Sequence, residues 1–179
     1  MDYQKPRFHL SLRDGVSPDI LPGMLPADRA AWNETPAFLG RPAALQRVHA
    51  AMPEASTRVV NGLEVLLDEP EGSLQELMGI TGMNHLGVEL VDRVEHHHAY
   101  EDRSVLPQFL SMFPEMEMAV ELLERDHDFL DNVLTRSREL FLALEPEVSA
   151  KELQQVLHRH TYDEEDLLIP ALLHGEVHF

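Results

Sequence analysis

The chain has no cysteine, which removes disulfides, thiolate metal ligands, iron-sulfur ligation and thiol redox chemistry for a chain acting alone. Any metal it holds must be bound through nitrogen and oxygen. Basic residues are also scarce, 14 Lys and Arg against 32 Asp and Glu, for a formal net charge of -18. That balance repels nucleic acid and anionic membrane, so neither is expected as a partner. Long apolar runs are missing as well. No stretch reaches the roughly 18 to 20 apolar residues of a membrane span, and Met1 to Leu12 holds no apolar signal core. A cytoplasmic location is the default expectation.

What remains is a chain of 179 residues, 44% apolar and 26% charged, enough for one domain with a real core. Residues 1 to about 40 carry Pro6, Pro18, Pro22, Pro26 and Pro36 with Gly15 and Gly23. So many breakers predict an irregular arm, within which Leu25 to Trp32 forms one short helix anchored by the only Trp. Residues 41 to 179 form the second unit.

Helical periodicity divides that unit into four segments. The first, about Pro42 to Leu67, aligns Leu45, His49, Met52, Ser56, Val59, Leu63 and Leu66, and Pro53 kinks it. The second, about Ser73 to Phe113, aligns Leu86, Leu90, Val94, His97, Glu101, Val105 and Phe109. Glycines at 79, 82 and 87 break its start, and Pro107 bends or ends it. The third begins near Pro114, places Val120, Leu123, His127, Leu130, Leu134 and Phe141 together, and stops at Glu145-Pro146. The fourth opens at Ser149 with Glu152 as a capping box and aligns Leu153, Val156, Leu157, His160, Glu164, Leu167 and Ala171. Short connections predict an all-α, up-down-up-down antiparallel four-helix bundle with an irregular N-terminal arm.

Eleven histidines are present, and their placement carries the chemistry. A motif occurs twice. His97-His98-Ala99-Tyr100-Glu101-Asp102 runs on to Pro107, and His160-Thr161-Tyr162-Asp163-Glu164-Glu165 runs on to Pro170. In each copy the Glu lies one helical turn after the His, so both project from one face. Each helix of the bundle thus carries a histidine inside its apolar stripe: His49, His97, His127 and His160. One such histidine is ordinarily a hydrogen-bonded core residue. Four of them, two accompanied by a glutamate, are not. Glu101 and Glu164 buried alone would cost several kcal/mol, and no Lys or Arg in the stripes neutralises them. A bound cation would.

At about 100° per residue, Glu101 projects between His97 and His98, as a carboxylate that bridges two metals must. His160 and Glu164 repeat the pattern from another helix. Imidazole and carboxylate without thiolate fit iron or manganese. Six or seven ligands exceed the four that mononuclear zinc usually takes. His96, His158, His85, His9, His174 and His178 are placed away from the metals. Asp102, Asp163, Glu165 and Asp166 read as a solvated acidic face, from which Glu165 or Asp102 could hydrogen-bond a ligand imidazole.

The order His, then His-x3-Glu, then His, then His-x3-Glu, each pair closed by Leu-Pro or Ile-Pro, resembles the hemerythrin-like (HHE cation-binding) family over about residues 42 to 175. Ferritin-type bundles place the Glu before the His. The resemblance implies a four-helix bundle around two non-haem iron ions, for which manganese or zinc could substitute. It assigns His49 and His97 to one iron, His127 and His160 to the other, and Glu101 and Glu164 as bridges. Oxygen-carrying members have a further His one turn before the third-helix His, and here that position is Leu123. His98 is the candidate replacement; without it the second iron keeps an open position. The expected function is binding or sensing of O2, NO or iron, with a di-iron oxidoreductase acting on peroxide, NO or a substrate as the alternative. A small diatomic ligand is the expected partner, and a homodimer is compatible with the pattern.

Overall fold

In the computed structural model, residues 2–17, 20, 29–32, 34, 36–69, 72–144 and 147–174 are described. All regular structure among them is helical: α1 (Arg29–Trp32), α2 (Arg41–Leu67), α3 (Leu74–Thr81), α4 (Met83–Tyr100), α5 (Leu106–Met112), α6 (Glu117–Leu142) and α7 (Glu147–His174). Short 3-10 turns occupy Pro36–Leu39 and Pro114–Met116, and a π-helical turn spans Glu101–Val105. The long helices α2, α4, α6 and α7 form a helical bundle in which α2 packs on α4 and α7, and α6 packs on α4 and α7.

Its core falls into two parts along the bundle. One holds Met52, Val59, Leu63, Leu90, Val94, Leu130, Phe141 and Leu157. The other holds Leu106, Phe109, Met116, Val120, Leu123, Leu167 and Leu168, joined by Phe8 and Ile20 from the N-terminal arm. Trp32 and Phe38 add a third patch against Ala43 and Ile169. The arm thus covers the outer side of α7, which is why α7 is buried almost all round from His160 to Ala171.

Three boundaries differ from the periodicity. The second segment is divided. Gly82 adopts φ 72°, a left-handed conformation that glycine tolerates, and separates α3 from α4. Gly79 and Gly87 stay inside helices. The capping box forms at Ser73 and Glu76, not at Ser149 and Glu152. α7 starts at Glu147, so Ser149 lies within its first turn and shares a buried hydroxyl hydrogen bond of 2.6 Å with Ser137, while Glu152 pairs with Arg136. α6 ends at Leu142, ahead of Glu145-Pro146, which lies outside the described residues. Of the helix expected over Leu25 to Trp32, α1 supplies the described part, and Trp32 is 1% exposed. Pro53 and Pro170 both sit inside helices, in α2 and α7.

The inward stripe of α4 is shifted. It runs through Gly87, Leu90, Val91, Val94 and His98, whereas Leu86 is exposed. Gly87 explains the shift, because a Cβ there would lie 2.3 Å from the Phe141 ring. The absence of a side chain lets α4 and α6 approach. Beyond α4, Pro107 supplies no N–H, and the chain crosses it through the π turn, in which the Leu106 N–H reaches the Glu101 carbonyl. Gly87→Ala is expected to cost about 1–3 kcal/mol in urea unfolding, with part recovered in a Phe141→Leu background. A Gly87→Ala protein of unchanged stability would contradict this packing.

Candidate metal centre

All seven sequence-predicted side chains converge between the long helices. They form two adjacent groups: His98, His127 and His160, and His49, His97, Glu101 and Glu164, with donor atoms within 4.8 Å of one another in each. Each helix contributes by register. α2 supplies His49, α4 supplies His97 and His98, the π turn supplies Glu101, α6 supplies His127, and α7 supplies His160 and Glu164. The glutamates link the groups. Glu101 Oε1 is 3.0 Å from His97 Nε2 and 3.6 Å from His49 Nε2, while its Oε2 is 3.8 Å from His127 Nε2. Glu164 Oε2 is 3.3 Å from His49 Nε2 and 3.5 Å from His160 Nε2.

These atoms do not satisfy each other. Both nitrogens of His49 and His98, Nε2 of His97, Nδ1 of His160 and all four carboxylate oxygens of Glu101 and Glu164 are buried without a hydrogen-bond partner. Such orphaned groups ordinarily cost one to several kcal/mol each and call for a partner. His127 Nδ1 donates to Asp102 at 2.6 Å, and His160 Nδ1 faces Asp126 Oδ2 at 3.5 Å. With protons on those nitrogens, the Nε2 lone pairs of His127 and His160 point at each other across 3.1 Å. Two imidazoles at right angles on one metal, with bonds of about 2.1 Å, would bring their nitrogens about 3 Å apart. The donor set therefore fits metal ions.

Leu123 is fully buried in the apolar core and offers no ligand. His98 stands beside His127, their rings stacked at 4.4 Å, and its ring lies 5.0 Å from that of His160. Sequence periodicity put His97 inward and His98 to one side; His98 is the deeper of the two, following the shifted α4 stripe. His85, His96 and His158 are exposed, His9 is half-buried against Tyr3 and Phe129, and none of the four belongs to either donor group. The side chain of His174 and all of His178 lie outside the described residues.

The acidic face expected beside the ligands is solvated only in part, at Asp102 and Asp166, whose side chains are 42% and 37% exposed. Asp163 is fully buried and Glu165 is 6% exposed, because the arm lies over them and brings cations. Arg13 grips Asp126 with both terminal nitrogens and donates from Nε to Asp163 at 2.7 Å. The Tyr3 hydroxyl donates to Asp126 at 2.7 Å, and Arg159 pairs with Asp163. Arg29 pairs with Glu165 and Asp166, each at 2.7 Å. Glu165 Oε1 in turn lies 3.6 Å from His49 Nδ1. Asp102, Asp126 and Glu165 thus stand behind His127, His160 and His49, where carboxylates orient ligand imidazoles. Sequence reasoning missed Tyr3, Arg13, Arg29 and Asp126. Asp126 was accessible, since it lies on a second buried stripe of α6 with Ala119, Leu122, Leu130 and Ser137.

Several cavities reach the cluster, two of which touch different donors. One, of about 380 Å³, is mostly apolar and touches His97 and Glu101. The other, of about 440 Å³, touches His98 and is lined by Glu95, Asp102, Arg103 and Asp131.

Protonation in the cluster is divided. Burial disfavours charge on His49, but Glu164, Glu101 and Glu165 outweigh it and push its pKa up to about 10. Burial, and then the neighbouring Glu101 charge, raise Glu164, whereas His49 and His97 hold Glu101 well below the usual range despite its burial. Burial first, then neighbouring imidazoles, push His98 and His160 well below the usual histidine range, leaving neutral rings with lone pairs to give. Without metal, a raised His49 stabilises the fold fully below its unfolded pKa of 6.5 and progressively less as pH climbs toward about 10. The raised Glu164 acts in the same direction, and the opposing slope from the lowered His98 and His160 fades above their unfolded pKa of 6.5. Metal-stripped protein should therefore lose thermal stability between about pH 7 and about pH 9, and metal-loaded protein should not, because binding replaces those protons. Stripped protein that gains stability over this interval would contradict these assignments.

The sequence matches the model of the hemerythrin HHE cation binding domain over residues 43–172, a span that includes all seven converging side chains. No curated protein and no solved structure matches the chain. The chain therefore belongs to the hemerythrin HHE cation-binding domain family.

Proposed function

We propose that this protein is a non-haem di-iron protein that binds or senses O2, NO or iron at a carboxylate-bridged, histidine-rich centre. The observation that carries the reading is the pair of adjacent donor groups joined by Glu101 and Glu164, most of whose buried polar atoms have no hydrogen-bond partner. His49 and His97 serve one ion, His98, His127 and His160 the other, and the two glutamates serve both. Iron bound there would supply an open coordination position and ferrous–ferric cycling. Manganese or zinc could substitute in the same N and O donors. In this reading the long helices run up-down-up-down, and residues 1–40 act as an arm on the bundle formed by residues 41–179.

The protein's own groups do the rest. Asp102 holds the His127 imidazole in one tautomer through its hydrogen bond, Asp126 and Glu165 set negative charge behind His160 and His49, and Leu106, Leu123 and Leu167 belong to the apolar core of this part of the bundle. Iron-loaded protein should hold about two irons per chain. Glu101→Ala and Glu164→Ala should each lose at least one, since each is assigned to both ions, whereas His158→Ala should keep both. A stoichiometric zinc content with no uptake of iron would sink the di-iron assignment. Anaerobic reduced protein mixed in turn with O2 and NO should give reversible spectral changes. Sustained consumption over many turnovers would instead support the oxidoreductase alternative.

A further inference from the structure

The mostly apolar cavity of about 380 Å³ adjoins that donor set and extends well beyond it. Its walls come mainly from Leu45 of α2, Val105 of the π turn, Phe109 of α5 and Leu168 of α7, with Arg41 and Gln108 as polar members. Its inner end is formed by His97 and Glu101. His97 is also the ligand candidate with most exposure, 13% at its side chain against 3% or less for His49, Glu101, His127, His160 and Glu164. His97 opens both on this cavity and on a neighbouring one lined by Arg47, Ala51 and Arg93, and of these two only the first also reaches Glu101. The π turn contributes Ser104 and Val105 to the same wall, and wide turns of this kind recur at functional sites because they reshape one side of a helix.

Size and polarity decide the occupant. Small-molecule pockets run from about 300 to about 1,000 Å³ and are mostly apolar, and an apolar cavity of about 150 Å³ accommodates benzene. Neither O2 nor NO needs such a volume. We propose that the cavity is a binding site for an uncharged aromatic or alicyclic molecule of one or two rings, seated against His97 and Glu101. Placed there, an organic molecule lies in van der Waals reach of the candidate centre. That adjacency rests on the metal reading, but the binding itself requires only the apolar walls.

2-Naphthol, whose fluorescence reports its surroundings, is a suitable probe. Titrated into iron-loaded, zinc-loaded and metal-stripped full-length protein, it should bind saturably at one site in each form. Ala44→Phe, which fills the cavity from an exposed position on α2, should weaken binding at least about tenfold, roughly 1.4 kcal/mol, with metal content unchanged. In the iron-loaded form the probe should also alter the iron absorption spectrum. Absence of saturable binding in all three forms, or equal binding by wild type and Ala44→Phe, would overturn the proposal. Binding that persists while iron loading fails would reject the di-iron reading and leave the cavity assignment standing.

Discussion

The structure depends on a concentration of polar atoms where a helical bundle would normally place hydrocarbon. Seven donor side chains point into one space, and ten of their nitrogen and oxygen atoms lack a hydrogen-bond partner. Two carboxylates facing each other in that space repel, and histidine protons can offset the repulsion only at the cost of burying more charge. Cations resolve both problems together. Bound at this site, they would neutralise Glu101 and Glu164 and accept the lone pairs of imidazoles that burial keeps neutral. Divided cores, a split second segment and a covering arm are all consistent with a bundle arranged around such a site.

The arm acts on this centre indirectly. Arg13 and Asp126 are buried together, and buried ion pairs add little net stability because desolvation consumes the Coulombic gain. Their effect is directional. Arg13 and Tyr3 fix Asp126 against His160, and Arg29 fixes Glu165 behind His49. The chain thus orients one face of the cluster with residues from its least regular segment. Opposite, the π turn carries Glu101 inward and leaves His97 at the edge of the apolar cavity.

Local spacing made the candidate ligands legible in the sequence. A His and a Glu four residues apart on a helix share a face whatever the tertiary structure, and the same reasoning placed His98 beyond Glu101. Helix existence followed from periodicity for the same reason. Contacts that depend on distant packing were not legible. Arg13 meets Asp126 across 113 positions, and only docking of the arm makes Asp163 and Glu165 interior residues. Gly87 read as a breaker because its role, a close approach to Phe141, is visible only once α4 and α6 are side by side. The π turn leaves no trace in the sequence, since Glu164 has the same downstream proline and α7 stays α-helical through Pro170.

The central claim is that these side chains hold a pair of metal ions bridged by Glu101 and Glu164. Anomalous diffraction at the iron edge from crystals of iron-loaded protein tests it most directly. The account predicts two peaks roughly 3.5 Å apart, one among His98, His127 and His160 and one beside His49 and His97, with both glutamates between them. A single peak, or peaks remote from these residues, would contradict it.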